Sequence, residues 1–373
     1  MPFAPLRILQ IYPKEDFFTG AAIQLLELAR GLAARGHHVV IATPPNDTWA
    51  AQCHAAGLTH VGITMKRQWD LRATWRLARL IRQERIEIAH AHKGRGRTLT
   101  LLASLMGAPV LLVLNRAVSF PVVGLRRLGY TCRLVHAIIA VCESIKRGLV
   151  AAGVPAAKIT VIYSGTDVER FHPGVDGSPV RRELGFDPDD QVVTQIGVRS
   201  WKGWDDVLDA MPRVVERGPR ARLLLVGAPL PRIAEITAAA RERGVDGRVR
   251  VIGHRTDIPA VLAASDVVVD ASYAGLGITG AIREALACER PVVATALEGN
   301  PELVLDGETG LLVPPRTPAA LADAIVRLLG DPTAAQTMAR AGRKRVEAQF
   351  SLQAKLDATE ALYYRLVVTG GRA

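Results

Sequence analysis

The sequence predicts an α/β protein built from two doubly wound, Rossmann-like domains facing across a cleft. Three observations carry this. Strand and helix patterns alternate along nearly the whole chain, the signature of parallel sheets covered by helices. The alternation lapses once, around residues 165–190, in segments of turn chemistry (Ser164-Gly165-Thr166-Asp167, His172-Pro173-Gly174, Asp187-Pro188-Asp189-Asp190), and then restarts. The 373 residues leave room for two domains of ordinary size. The expected boundaries are 1–168 for an N-terminal, acceptor-side domain and 169–350 for a donor domain. A helix in 351–373 is expected to pack back on the first domain.

The first half opens with an apolar strand, Arg7–Tyr12, and a loop, Pro13–Gly20. Ala21–Ala34 follows with Ile23, Leu26, Leu28 and Leu32 at helical spacing and a stop at Arg35-Gly36. Strand Val39–Thr43, helix Leu71–Gln83, strand Ile86–Ala91, helix Thr98–Met106, strand Pro109–Leu114, strand Ala137–Val141 and helix Glu143–Ala151 continue the series. The second half runs from strand Val192–Gly197 and helix Trp204–Val215 through strands Leu223–Gly227, Val249–Gly253, Val267–Asp270 and Pro291–Thr295. Its helices are Ala234–Arg243, Ile258–Ala264, Thr279–Ala287 and Pro318–Leu329, and the chain closes on the amphipathic segment Leu352–Val367.

Composition narrows the function. Apolar residues make up 49% and charged residues 22%, a globular balance. No uninterrupted apolar run is long enough for a membrane span, and the N-terminus lacks the pattern of a signal peptide, so a cytoplasmic location is expected. The four cysteines show no metal-ligand spacing. Net charge is +11, unevenly placed: residues 1–168 carry +12 and residues 169–373 carry −1. A basic half suggests an anionic partner. Aromatics, at 5%, do not interleave with basic residues, which argues against nucleic acid. Arg72, Arg76, Arg79 and Arg82 share one face of a helix, with Lys93, Arg95, Arg97, Arg126, Arg127 and Arg133 in the same half. They suit a solvated face or peripheral attachment to an anionic membrane surface.

P-loop, zincin and serine-hydrolase motifs are absent. Gly275-Leu276-Gly277-Ile278-Thr279-Gly280 is a GxGxxG between a strand and a helix, with Glu298 near the place of a ribose-binding acid. An NAD-dependent enzyme is therefore one alternative. The looser reading is that backbone N–H groups at a helix start meet a phosphate, whichever nucleotide carries it. Arg199 and Lys202, with Gly203, lie on a strand-to-helix loop and suit a diphosphate. Glu284, one turn into the helix after the glycine loop, could accept two ribose hydroxyls.

Order and spacing together go further. Gly31-Leu-Ala-Ala-Arg-Gly36-His37-His-Val, Ser164-Gly165-Thr-Asp167…Phe171-His-Pro173 and Arg199…Lys202-Gly203 occur in sequence. Gly253-His-Arg255-Thr-Asp257, Arg283-Glu284-Ala-Leu-Ala-Cys-Glu-Arg-Pro291-Val-Val-Ala and Gly299-Asn-Pro-Glu302…Gly307-Glu-Thr-Gly310-Leu-Leu-Val follow. In these segments the chain resembles the retaining GT-B glycosyltransferases of the family 4 type. The resemblance implies transfer of a sugar, with retention, from a nucleotide-diphosphate donor to an acceptor hydroxyl of a glycolipid, lipopolysaccharide or other cell-envelope glycan. A UDP-sugar is expected as substrate, with no cofactor and no metal. It implies that Arg199 and Lys202 grip the diphosphate, joined by Arg255. Glu284 would hold the ribose, and Gly277, Ile278, Thr279 and Gly280 would face the phosphates or sugar. Gly20 and Ala21 fall where the family has a Gly-Gly loop, and His92 where it has a histidine near the transferred sugar. Two positions depart from the pattern. Leu276 stands in place of the first acid of E-x7-E, so Glu298 or Glu302 is expected to supply the missing carboxylate. Asn115-Arg116 stands where the family has a histidine. A non-catalytic nucleotide-sugar binder is the remaining alternative.

Overall fold

The computed structural model describes residues 4–17, 19–275 and 277–370, with the side chains of Leu125 and Arg126 outside that description. Leu276 also lies outside the described residues. The chain divides into two compact units, Met1–Gly165 with Leu352–Ala373, and Thr166–Ser351.

The first unit holds a seven-stranded sheet. Its strands are β1 (Arg7–Ile11), β2 (His38–Thr43), β3 (Thr59–Gly62), β4 (Ile88–His92), β5 (Leu111–Arg116), β6 (Val135–Ala140) and β7 (Ile159–Val161), in the order β3-β2-β1-β4-β5-β6-β7. All pairs are parallel. The second unit holds β8 (Gln191–Ile196), β9 (Ala221–Val226), β10 (Val249–Ile252), β11 (Val267–Asp270), β12 (Val292–Thr295) and β13 (Leu311–Val313), in the order β10-β9-β8-β11-β12-β13. These too are parallel throughout. Each sheet reverses its winding once, between β1 and β4 and between β8 and β11. Such switch points open a crevice at the carboxyl ends of the strands. Both faces of a parallel sheet are covered, so its strands read as continuous apolar runs. Val267–Asp270 and Val292–Thr295, buried at every position, follow that rule.

Sequence periodicity finds the long strands but misses β3, β7 and β13, of three or four residues, and the helices Asp47–Ala55, Ser178–Leu184 and Pro332–Arg345. β3 is an edge strand with no fully buried residue, so it lacks an apolar signal.

The last helix, Leu352–Val368, belongs to the core of the first unit. Leu356, Leu362, Tyr363 and Leu366 are buried there with Leu25, Leu28 and Leu32 of the helix Gly20–Ala34. Gly31 permits the approach, since a Cβ on it would lie 2.5 Å from Leu356 Cδ1. Arg35 binds Asp357 at 2.5 Å and Glu360 at 2.6 Å. His37 accepts the Leu6 N–H at Nδ1 (3.0 Å) and donates from Nε2 to Glu360 (2.8 Å). Burial pushes the Glu360 carboxyl up, but the bonds from His37 and Arg35 outweigh it and hold it below its ordinary range. The Arg35-Gly36-His37 segment is thus a clamp on a helix more than 300 residues away.

Candidate active site

In the second unit, polar groups gather where β8 and β11 part. Asp270 ends β11 almost fully buried (1% exposed). Its Oδ1 accepts from Lys202 Nζ (3.2 Å) and Ser272 Oγ (2.8 Å), and its Oδ2 from Thr279 Oγ1 (2.9 Å) and Asn300 Nδ2 (3.4 Å). A buried carboxylate is stable only when paired and hydrogen-bonded, and this one is both. The pair fixes one proton of the Lys202 ammonium, which has three to donate. Gly203, at φ 63°, turns the chain from Lys202 into the helix Trp204–Arg217; a Cβ there would lie 2.1 Å from Ala271 O. Only glycine fits that approach.

Thr279 precedes the helix Gly280–Ala287, and its N–H donates to Asn300 Oδ1 (3.3 Å). Glu284 folds back along this helix: its Oε1 lies 3.7 Å from where a Cβ on Gly280 would stand. Burial raises the pKa of its carboxyl, and Arg283, Arg170 and Lys202 pull the other way without cancelling the rise. Gly299 N–H donates to Gly277 O (3.1 Å), joining the glycine loop to the loop of Glu298. Glu298 is half-buried and adopts φ 53°, a conformation uncommon for a residue with a side chain. Glu302 sits in the first turn of the short helix Asn300–Leu303, its carbonyl bound by Arg345 (2.6 Å).

Two predicted donor contacts stand differently. Arg199 is exposed, with its guanidinium 5.5 Å from the Trp201 ring centre. Arg255 is taken by carboxylates: it binds Glu183 at 2.5 and 2.9 Å and Asp257 at 2.8 and 2.6 Å, which raises its pKa further.

In the first unit the corresponding crevice carries a chain of neutral groups. His92 ends β4, and its Nε2 meets Gln10 Oε1 of β1 at 2.8 Å. Gln10 Nε2 donates to Tyr363 Oη (3.5 Å), and Tyr363 Oη lies 2.7 Å from His90 Nδ1. Asn115 Nδ2 reaches His92 Nδ1 at 3.2 Å. These partners give His92 its proton on Nε2. The two imidazoles stack at 4.4 Å. Burial, with the Lys355 charge, pushes His90 down to about 3, and burial, with His90, Lys355 and Lys93, holds His92 well below its ordinary range. Gly20 starts the helix Gly20–Ala34 with open space where a side chain would stand, and Ala21 joins His92 in the wall of a cavity of about 120 Å³.

Sequence reasoning missed Asp270, Asn300, Gln10 and Tyr363. Asp270 carried one available signal, a carboxylate at the end of an apolar strand.

Two doubly wound parallel-sheet units, each with polar groups gathered at its switch point, define the GT-B class of fold. The chain is similar to known proteins of this class. The model for glycosyltransferase family 4 matches residues 18–170, and that for glycosyl transferases group 1 matches residues 190–331. This chain belongs to the family 4, group 1 glycosyltransferases, and with that membership the dinucleotide reading of the 275–280 loop falls away. It is similar to N-acetyl-alpha-D-glucosaminyl L-malate synthase of Bacillus anthracis, 23% identical over 92% of this chain and 93% of that protein. It is 35% identical to the D-inositol 3-phosphate glycosyltransferase of Corynebacterium glutamicum over 51% of this chain, and there it spans about half (47%) of the relative's length. Among solved structures, a glycosyltransferase from Rickettsia africae has a TM-score of 0.89 at 19% identity, covering 98% of this chain and 99% of that one. HepE from Anabaena, in complex with UDP, has a TM-score of 0.86 at 22% identity, covering 97% and 100%.

Proposed function

We propose that this enzyme moves a sugar, with retention, from a UDP-sugar to an acceptor hydroxyl, with no metal and no cofactor. The observation that carries the donor side is the cluster of Lys202, Asp270 and Thr279 at the start of the helix Gly280–Ala287. Fixed cations and backbone N–H groups there can stabilise a departing diphosphate without proton transfer. Lys202, anchored by Asp270 through one proton, keeps two donors for phosphate oxygens, and Arg199, exposed beside the Trp201 ring, is the second cation. Glu284 receives the ribose hydroxyls. Arg255 takes a lesser part, because its fork is filled by Glu183 and Asp257. The UDP in the complex of the structurally similar HepE supports the choice of base. Glu298 supplies the sugar-binding carboxylate that Leu276 lacks, since its loop is bonded to Gly277 through Gly299; Glu302 is the alternative acid. Held neutral, with both ring nitrogens partnered by Gln10 and Asn115, His92 carries no proton to the sugar and lines the pocket beside it as a fixed wall.

Calorimetry with UDP and with free pyrophosphate tests the assignment. Glu284→Gln is expected to weaken UDP binding while leaving pyrophosphate binding unchanged; equal loss for both ligands removes Glu284 from the ribose.

A peripheral site on the inner face of a membrane has its own observation. Trp69, Leu71 and Trp75 are 69%, 71% and 49% exposed beside the exposed Arg72, Arg76 and Arg79. Apolar side chains set among cations suit an anionic lipid surface, each basic group contributing about 1 kcal/mol. No helix among the described residues is long and apolar enough to cross a membrane. Sedimentation with anionic and neutral vesicles decides the point: binding to anionic vesicles alone supports it, and equal binding to both rejects it.

A further inference from the structure

The crevice of the first unit continues past His92 into a second cavity, of about 300 Å³, which shares Arg97, Arg116 and Tyr130 with the first. The walls are cationic. Arg97, 7% exposed, lies 4.4 Å from the Tyr130 ring centre, in space that Gly129 leaves open: a Cβ there would stand 2.7 Å from Arg97 Nε. Arg116 enters from the end of β5, donating to Tyr130 Oη (3.3 Å) and to the Phe120 carbonyl. Arg95 closes the other side, donating to Met65 O (2.6 Å) and Pro13 O (3.3 Å). Among the described residues no Asp or Glu lines either cavity. The donor unit treats its cations differently, setting Lys202 on Asp270 and Arg255 on two acids. Arg95 and Arg116 donate to carbonyl and hydroxyl oxygens while Arg97 packs on the Tyr130 ring, and guanidinium groups so held present donors of fixed geometry to a planar or tetrahedral anion.

We propose that the cavity bounded by Arg95, Arg97 and Arg116 binds an anionic group, a phosphate or carboxylate, carried by the acceptor. This rests on the glycosyltransferase reading and adds the chemical class of the acceptor. Ala21 and His92 share the first cavity with Arg97 and Arg116, so an acceptor whose anion sits on the arginines extends its neutral hydroxylated part toward His92. Arg116 belongs to the Asn115-Arg116 pair, where the sequence departs from the family pattern, and adds one of the cations of the site. The group belongs either to a soluble molecule or to a lipid headgroup.

The test uses the full chain at low ionic strength, titrated with glycerol 3-phosphate and with glycerol, and sedimented with phosphatidylcholine vesicles with and without phosphatidic acid. Glycerol 3-phosphate or the anionic vesicles are expected to bind, glycerol and neutral vesicles not, with at least a tenfold loss in Arg116→Gln and in Arg95→Gln. Added salt should weaken binding. Binding of the soluble phosphomonoester assigns a soluble acceptor, and binding of the vesicles alone a lipid one. Binding of neither, or binding that both substitutions leave intact, overturns the proposal. Should Arg116→Gln fail to fold, Arg95→Gln at the opposite wall decides alone. UDP affinity in the same samples reports separately on the donor reading, because neither arginine belongs to the donor unit.

Discussion

The two units share a winding and a switch point but use them with opposite electrostatics. At its switch point the second unit sets a cation on an acid: Lys202 and Asp270 form a buried pair braced by Ser272, Thr279 and Asn300. The first unit places a neutral chain, His92–Gln10–Tyr363–His90, beside arginines whose cavities, among the described residues, no acid lines. The difference follows from what each must hold. In the proposed reading, the preformed ion pair positions one ammonium for the diphosphate of a nucleotide sugar. In the proposal above, the basic wall of the first unit selects an acceptor by its charge. The units also differ in self-sufficiency, since the donor unit is built from one continuous segment and the other needs a helix from the far end of the chain.

The largest expected effect breaks the second contrast. Ending the chain at Ser351 removes Leu356, Leu362, Tyr363 and Leu366 from the first core. At about 1.5–3 kcal/mol for each buried side chain, the loss is roughly 6–12 kcal/mol, comparable to a whole domain's stability. The first unit is expected to unfold while the second, with its separate core, still binds UDP; calorimetric unfolding with and without UDP checks both.

Lys202→Ala comes next, aimed at the electrostatic contrast. UDP affinity should fall by about 1.5–3 kcal/mol, the range for a charged hydrogen bond. Titration calorimetry reads the loss, and binding of glycerol 3-phosphate in the first unit should not change.

Tyr363→Phe is smaller. It strips the hydroxyl shared by His90 and Gln10 and should cost about 1–3 kcal/mol of stability through buried groups left unpaired. Denaturant unfolding measures this, and UDP affinity should hold.

The pH dependence sharpens the same contrast. His90 and His92 have folded pKa values below the ordinary 6.5. The unfolded chain therefore binds protons first, so stability is full above about pH 6.5 and declines as pH falls toward 3. Thermal unfolding of the first unit should show the decline beginning near pH 6.5, well before ordinary carboxylates titrate, and the donor unit should not share that onset.

What the sequence revealed divides along similar lines. Lys202, Thr279, Gly280 and Glu284 were legible because they stand in a fixed order on one strand-to-helix series. Asp270 was not, because a lone strand-end acid says nothing of the four donors that converge on it. Gln10 and Tyr363, 353 residues apart, carry no local signal at all. Arg95 and Arg97 read as two more cations of a basic half and Arg116 as part of a departure from the family pattern, until the ends of β4 and β5 bring them together. Leu276 remains a departure visible in sequence whose side chain lies outside the described residues.

The most direct measurement is release of UDP from UDP-sugars by the purified full chain, with and without an acceptor that carries a phosphate or carboxylate. The expected result is release that rises with the anionic acceptor, exceeds that with its neutral counterpart, and is lost in Lys202→Ala. Release unchanged by Lys202→Ala, or none from a UDP-sugar with any acceptor while another nucleotide sugar is turned over, would contradict the assignment of this site to a UDP-sugar.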